Sequence, residues 1–331
     1  MIYYRPLVRH GEARPEGALP LAGGALWFSE VEALERGRPP QVLPVGLLPE
    51  DSRRRLTARR ATIAGLDMTT PQIMGILNVT PDSFSDGGQH ADDEAACQLG
   101  LSLLEQGASI LDIGGESTRP GATCVEEVEE IARTAPVIAA LREQTSAPIS
   151  IDTRKASVAL EALEAGADLI NDVSGFTFDT ALAPLAAQAG VPVCIMHSQG
   201  NPDEMQDDPQ YENVLLDVYD FLSDQIDRLE AIGVLRDQIV IDPGIGFGKT
   251  QAHNLTLLKY ISLFHGLGCP ILLGASRKRF IGEIGGAAQA SARMPGSVAV
   301  GLAALGQGVQ ILRVHDVAAT AQAVRLWQAL R

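Results

Sequence analysis

The chain has 331 residues but only four cysteines, Cys97, Cys124, Cys194 and Cys269, far apart and without a C-x-x-C pair. That spacing argues against a structural zinc site or a disulfide framework and favours a reducing compartment such as the cytoplasm. No apolar run approaches the roughly 20 residues of a membrane span. The opening residues, MIYYRPLVRHGEARPEG, contain no apolar core of a secretory leader. Positive charge is also scarce. The net charge is −15 and the pI about 4.8, which argues against general nucleic-acid binding. What basic charge exists is uneven. Ten arginines against eight acids leave residues 1–70 at +2; sixteen basic against 33 acidic residues put the remainder at −17. The Gly-rich run Asp242–Lys249 matches neither G-x-G-x-x-G nor G-x-x-x-x-G-K-[ST], so a nucleotide P-loop is not expected.

What is present is a chain 46% hydrophobic with mean hydropathy +0.08, ample for a large core. Residues 1–60 read as an N-terminal extension whose sequence does not disclose a role. Tyr3–Val8 suggests a short strand. Ser29 followed by Glu30, Val31 and Glu32 suggests an N-cap opening a short helix to Arg36. Arg53–Arg55 with Arg59 and Arg60 reads as a solvated helix face.

From residue 61 the text is regular. Thr62–Met68 reads as a hairpin. Eight short apolar runs follow: Ile73–Val79, Ser109–Ile113, Ile149–Asp152, Leu169–Asp172, Val193–Met196, Ile239–Asp242, Ile271–Gly274 and Gln310–Val314. Helical segments separate them, at 92–106, 125–143, 155–165, 179–189, 211–232 and 253–264, then one long helical region to about Gly306, and finally 316–330. The strands lack polar alternation, as expected when both faces are covered. Eight strand–helix units over some 260 residues predict an α/β fold, a (β/α)8 TIM barrel over 61–331, with a doubly wound open sheet as the alternative.

The strand ends carry polar residues in barrel order: Asn78, Asp112, Asp152, Asn171, His197, Asp242, Ser276 with Lys278, and Arg313 with His315. Taken singly, each is an ordinary capping or satisfied polar residue. Eight strands ending in polar side chains at one mouth point to a site, because barrels assemble their chemistry there. Asp112, Asp152, Asn171 and Asp242 suit a planar heterocycle rich in N–H donors, such as the edge of a pterin or guanine. Thr118, Arg119, Ser276, Lys278, Arg313 and His315 suit an anion, and barrels commonly bind phosphate after strands seven and eight. The polar segment 80–88, with Phe84 at its centre, reads equally as a structural turn or as a mobile lid bringing an aromatic contact to a ligand.

These motifs together resemble the dihydropteroate synthase family. They are MGILNVTPDSFSDGG from Met74, LDIGGESTRPGA from Leu111, SIDTRK from Ser150, INDVSG from Ile170, MHSQGNP from Met196, IDPGIGFGK from Ile241, GASRK from Gly274 and RVHD from Arg313. The resemblance covers residues 61–331 in family order and leaves 1–60 without a counterpart in the common short forms.

It implies condensation of (7,8-dihydropterin-6-yl)methyl diphosphate with p-aminobenzoate, assisted by Mg²⁺, without a covalent enzyme intermediate. Asn78 would hold the metal with the diphosphate. Asp112, Asp152, Asn171, Asp242 and Lys278 would hold the pterin, with Asp112 at its floor. Thr118, Arg119, Ser276, Arg313 and His315 would surround the diphosphate. Phe84, Arg119 and Pro120 would flank p-aminobenzoate, where sulfonamides compete. Asp152, Lys278 and Arg119 are the candidates for catalysis. A cytoplasmic homodimer acting on small molecules, with no nucleic-acid or membrane partner, is implied, and residues 1–60 should be dispensable for chemistry. A pterin-binding methyltransferase would share the ring pocket but would not require the cationic groups. A non-catalytic binding protein would not require Asn78, Asp86, Arg119 and Lys278 together.

Overall fold

A computed structural model describes residues 1–79, 89–117, 124–199 and 209–331, leaving aside the side chains of 89–92. The extension is a small β structure. Strands β1 (Tyr3–Pro6), β4 (Glu30–Leu34) and β5 (Gln41–Pro44) form an antiparallel sheet in the order β1-β4-β5; β2 (Leu19–Pro20) pairs with β3 (Trp27–Phe28), and helix α1 spans Glu50–Thr57. Leu21, Leu26, Phe28, Val31, Leu48 and Leu56 give it a core of its own.

The helix expected at 29–36 is therefore strand β4. Val31 is buried while Glu30 and Glu32 on either side are half-exposed, a period of two that suits a sheet. Glu32 stands opposite Arg5 in register and accepts from its Nε at 2.7 Å. A cross-strand ion pair thus replaces the capping role read from the sequence. On α1, Arg53, Arg54 and Arg55 are exposed as expected. Arg60 is not: it is buried and donates to the carbonyls of Ala58 and His265, both at 3.1 Å.

The extension is fastened to the barrel rather than tethered. Tyr3 packs edge-on against Tyr219, with ring centroids 5.2 Å apart, and its hydroxyl donates to Asp220 at 2.9 Å. Arg36 binds Asp217 at 2.6 Å and Asp220 at 2.7 Å.

The Ile63–Leu66 bridge confirms the hairpin, and it plugs the barrel floor. Ile63 and Met68 cluster with Met74, Ile110, Leu169, Cys194, Val240, Leu272 and Ile311, drawn from seven of the eight barrel strands. Those strands are β6 (Gln72–Asn78), β7 (Ile110–Gly114), β8 (Ile149–Asp152), β9 (Leu169–Asp172), β10 (Val193–Met196), β11 (Ile239–Asp242), β12 (Leu272–Leu273) and β13 (Ile311–Val314). All pairings are parallel, in the order β11-β10-β9-β8-β7-β6-β13-β12. A parallel bridge from Ile241 to Ile271, with the Ile241 N–H donating to the Pro270 carbonyl at 3.0 Å, brings the two ends together. The TIM-barrel reading is borne out, and the open sheet is excluded.

Helices α2 (Gln89–Glu105), α3 (Glu127–Arg142), α4 (Ala156–Glu164), α5 (Leu182–Ala189), α6 (Val214–Ala231), α7 (Gln251–Lys259), α8 (Arg279–Gly285), α9 (Met294–Leu305) and α10 (Val317–Ala329) cover the outside. Two helical readings were too long. The region after β12 divides into α8 and α9, because Gly286 adopts φ +69° after α8 and Pro295 lies in the first turn of α9. Helix α7 stops at Lys259, and residues 261–267 continue as a 3₁₀ stretch.

The side-chain period of two sets what faces inward. Ile110, Leu169, Val240 and Ile311 fill the lower barrel, so Asp112, Asn171, Asp242 and Arg313, two residues further on, face the same interior nearer the mouth. Ile149 and Ile151 pack outward with the helices, which turns Ser150 and Asp152 inward.

Candidate active site

At the C-terminal mouth the acidic residues converge on one cation. Arg313 Nε donates to Asp112, and Arg313 Nη2 donates to Asp152 Oδ2 at 2.7 Å. Asn171 Nδ2 donates to Asp112 Oδ2 at 3.2 Å. Asp242 Oδ1 accepts the Gly244 N–H at 2.7 Å. All three carboxylates and Asn171 are buried.

Burial raises Asp152 to a pKa of about 7; Arg313 opposes the rise, and the Asp112 charge adds to it. Burial also raises Asp242, against the Gly244 hydrogen bond and the nearby lysines. For Arg313, burial disfavours the charge, but Asp112 and Asp152 outweigh it and drive its pKa further up. The acceptor Asp152 Oδ1 is buried and has no hydrogen-bond partner among the described residues. This is a site poised to receive an N–H donor.

The cationic half adjoins it. The His315 backbone N–H donates to Ser276 Oγ at 3.2 Å, and the His315 ring Nδ1 lies 3.1 Å from the same oxygen. Lys278 holds its ammonium 4.0 Å from the centroid of the Phe247 ring. Arg277, at φ +58°, turns away from this group and binds Asp316 instead. Arg313, read as an anion ligand, uses Nε and Nη2 on Asp112 and Asp152, so the two halves of the mouth meet at its side chain. Asn78 ends β6, half-buried and beside Gly114 of β7. Phe84, Thr118, Arg119 and Pro120, together with Asp86, lie outside the described residues.

Two charged clusters escaped the sequence reading. Glu116 accepts from Arg154 at 2.8 Å, from Lys155 at 3.2 Å and from the Val125 N–H at 2.8 Å; Lys155 also binds Glu130 at 2.6 Å. Burial would raise Glu116, but Arg154, the Val125 N–H and Lys155 hold it below the ordinary range. Lys249, the second case, is buried against His197. For Glu116, Arg154 and Lys155 the only signal was a charge just beyond a strand end, the same signal that marks ligand-facing groups; Lys249 lies seven residues past β11, in a Gly-rich loop.

A barrel whose mouth joins a buried acid–amide pocket to a cationic rim has the architecture of a (β/α)8 enzyme with its site at the C-terminal ends of the strands. Residues 74–315 match the family model for pterin binding enzymes. The dihydropteroate synthase of Synechocystis sp. is 46% identical over 258 residues, 78% of this chain and 89% of that protein. The dihydropteroate synthase of Xanthomonas albilineans solved with 4-aminobenzoic acid superposes with a TM-score of 0.77 at 47% identity, covering 82% of this chain and 97% of that one. The Xanthomonas albilineans enzyme in complex with 7,8-dihydropteroate gives a TM-score of 0.74 at 44% identity, covering 82% and 98%. The chain belongs to the dihydropteroate synthase family of pterin-binding enzymes. No helix among the described residues is long and apolar enough to cross a membrane.

Proposed function

We propose that this enzyme joins p-aminobenzoate to the 6-methylene carbon of a dihydropterin diphosphate, releasing diphosphate and dihydropteroate. The observation that carries the reading is Asp152 Oδ1, a buried acceptor with no partner among the described residues, beside a carboxylate–amide pair. A dihydropterin supplies the ring N–H and amino donors that such acceptors need. That the relatives solved with 4-aminobenzoic acid and 7,8-dihydropteroate share this fold supports the choice of substrates.

In this reading Asp152, Asn171 and Asp242 bind the ring edge, Asp112 fixes Asn171 from below, and Lys278 donates to a ring acceptor. The arylamine is a weak nucleophile, so departure of the diphosphate governs the barrier. Ser276, Arg313 and His315, with Thr118 and Arg119 assigned by sequence, receive its charge. Asp152 faces the positive charge that spreads into the ring as the C–O bond breaks. Phe84, Arg119 and Pro120 are assigned to p-aminobenzoate by sequence.

Among the described residues no three His, Cys, Asp or Glu side chains converge into a metal cage. Magnesium does not need one, since it commonly takes one or two protein oxygens and completes its shell with phosphate oxygens and water. In this reading Asn78, the last residue of β6 at the C-terminal end of the barrel, would offer its amide oxygen in that role. Bound there, magnesium would supply charge neutralisation at the diphosphate.

The test is diphosphate release with both substrates. Release that requires p-aminobenzoate, and falls sharply in Asp152→Asn, is expected; release indifferent to the arylamine would defeat the proposal.

A further inference from the structure

Lys249 lies beneath the mouth and is almost completely buried. Its ammonium has three neighbours: His197 Nδ1 at 2.9 Å, the His197 carbonyl at 3.1 Å and the Phe247 carbonyl at 2.9 Å. Two carbonyls and, when the ring proton sits on Nε2, His197 Nδ1 give three acceptors for the three N–H groups of a lysine ammonium. His197 follows β10, whereas Phe247 lies in the loop after β11, so one side chain ties two neighbouring loops together. Their backbones are in close contact as well. Gly244 sits at φ +71°, and a Cβ there would fall 1.9 Å from the His197 carbonyl oxygen; no other residue fits.

The tie continues to Lys278. Phe247, held through its carbonyl, presents the ring against which the Lys278 ammonium rests at 4.0 Å. The same loop supports the Lys278 stem: a Cβ on Gly246 would lie 3.0 Å from Lys278 Cδ. Asn254 fixes the loop from α7, accepting the Gly246 N–H at 2.7 Å.

We propose that Lys249 is a positioning residue: by bracing the loops after β10 and β11 it sets Phe247, and through Phe247 the Lys278 ammonium, for recognition of the pterin ring. It acts only through other residues. The inference rests on the pterin reading of the pocket given above. A supporting feature is the state of His197. With Lys249 as the donor, His197 Nδ1 is the acceptor and the neutral ring carries its proton on Nε2. Burial followed by the Lys249 charge pushes the His197 pKa down to about 2, while burial pushes Lys249 itself well below the ordinary lysine range against the nearby Asp242 charge.

Two measurements test this. Nitrogen-15 NMR of histidine-labelled wild-type protein should find His197 as the Nε2–H tautomer, unprotonated from pH 8 to pH 5. An Nδ1–H tautomer, or titration within that window, overturns the brace, and this readout requires no variant. Lys249→Met, if folded, should bind a 6-substituted pterin at least tenfold more weakly by calorimetry, with the KM for p-aminobenzoate at saturating pterin diphosphate within threefold of wild type. General loosening of the mouth would move both constants, and unchanged pterin affinity overturns the proposal. If the wild-type protein fails to bind the pterin, the reading of the pocket fails. If wild type binds and Lys249→Met binds equally, the bracing role alone fails.

Discussion

Asp152 is linked to Arg313 through one oxygen only: Arg313 Nη2 donates to Oδ2 at 2.7 Å, while Oδ1 has no partner among the described residues. Burial without full pairing raises the carboxyl to about 7. The reaction proposed here needs it ionised. kcat/KM should therefore rise with pH through an apparent pKa near 7, and Asp152→Asn should be slow with that limb absent. A wild-type profile flat from pH 6 to 8 would remove Asp152 from the chemistry.

The same shift has a consequence for stability. A carboxyl whose folded pKa lies above its unfolded value contributes stability fully present below the unfolded pKa, about 4, and lost as pH rises through the folded one. Asp152→Asn removes that loss. It should be more stable than wild type above pH 7, by about 2–4 kcal/mol at most, and the gap should close towards pH 4. Chemical denaturation at the two ends of the window checks it; a constant difference would mean that Asp152 does not titrate there.

Arg313 and His315 should separate on mutation. Arg313→Ala leaves Asp112 and Asp152 buried without their cation, a change that costs about 3–5 kcal/mol in comparable buried pairs. It should weaken folding and pterin binding together, as well as diphosphate binding. His315 contacts Ser276 through both its backbone N–H and its ring, so His315→Ala should lower diphosphate affinity and leave a phosphate-free pterin within twofold of wild type. Calorimetry with the two ligands separately decides this. Loss of pterin affinity in His315→Ala would merge the two halves of the site.

The extension should supply stability rather than chemistry. Every described mouth residue lies beyond residue 61, yet Tyr3 and Arg36 anchor on Asp217 and Asp220 of α6 and Arg60 is buried against His265. Arg36→Ala removes a partly exposed network and should cost about 1 kcal/mol. Truncation at Arg60 uncovers Tyr219 and the 3₁₀ stretch before β12, so it should melt well below the full chain. Below that melting temperature it should keep wild-type kcat. A folded truncation without activity would place the extension in the site.

The sequence disclosed the barrel because its signal is local. Each strand is a short apolar run, each ends in a polar residue, and the two-residue period alone turns Asp112, Asn171, Asp242 and Arg313 to one interior. Charge partnership was not legible. Arg313 stands 201 residues from Asp112, and Lys249 52 residues from His197. Nothing in either neighbourhood tells a cation that waits for an anion from one already engaged. Strand β4 was missed for a related reason: Ser-Glu-Val-Glu satisfies both a helix start and a period of two, and the choice was made by β1 and β5, which approach from elsewhere in the chain.

The division between the two substrates predicts an order of binding. Asp152, Asn171 and Asp242 stand on strand ends, and Lys278 rests on a loop fixed by Lys249 and Asn254, so the ring pocket is assembled from buried, mutually bonded groups. The groups assigned to p-aminobenzoate, Phe84, Arg119 and Pro120, come from Gly- and Ser-containing segments instead. The nucleophile must also reach the methylene carbon of a pterin already in place. A second ligand gains affinity only from contacts that exist when it arrives. The pterin diphosphate should therefore bind first and complete the p-aminobenzoate pocket. Calorimetry should detect p-aminobenzoate binding only with the pterin diphosphate, or with a pterin and diphosphate together, and Asp152→Asn should keep this order while slowing the single-turnover step by about 2–4 kcal/mol of barrier. Tight binding of p-aminobenzoate to the empty protein would defeat the ordered scheme, and a wild-type single-turnover rate in the Asn variant would defeat the charge role of Asp152.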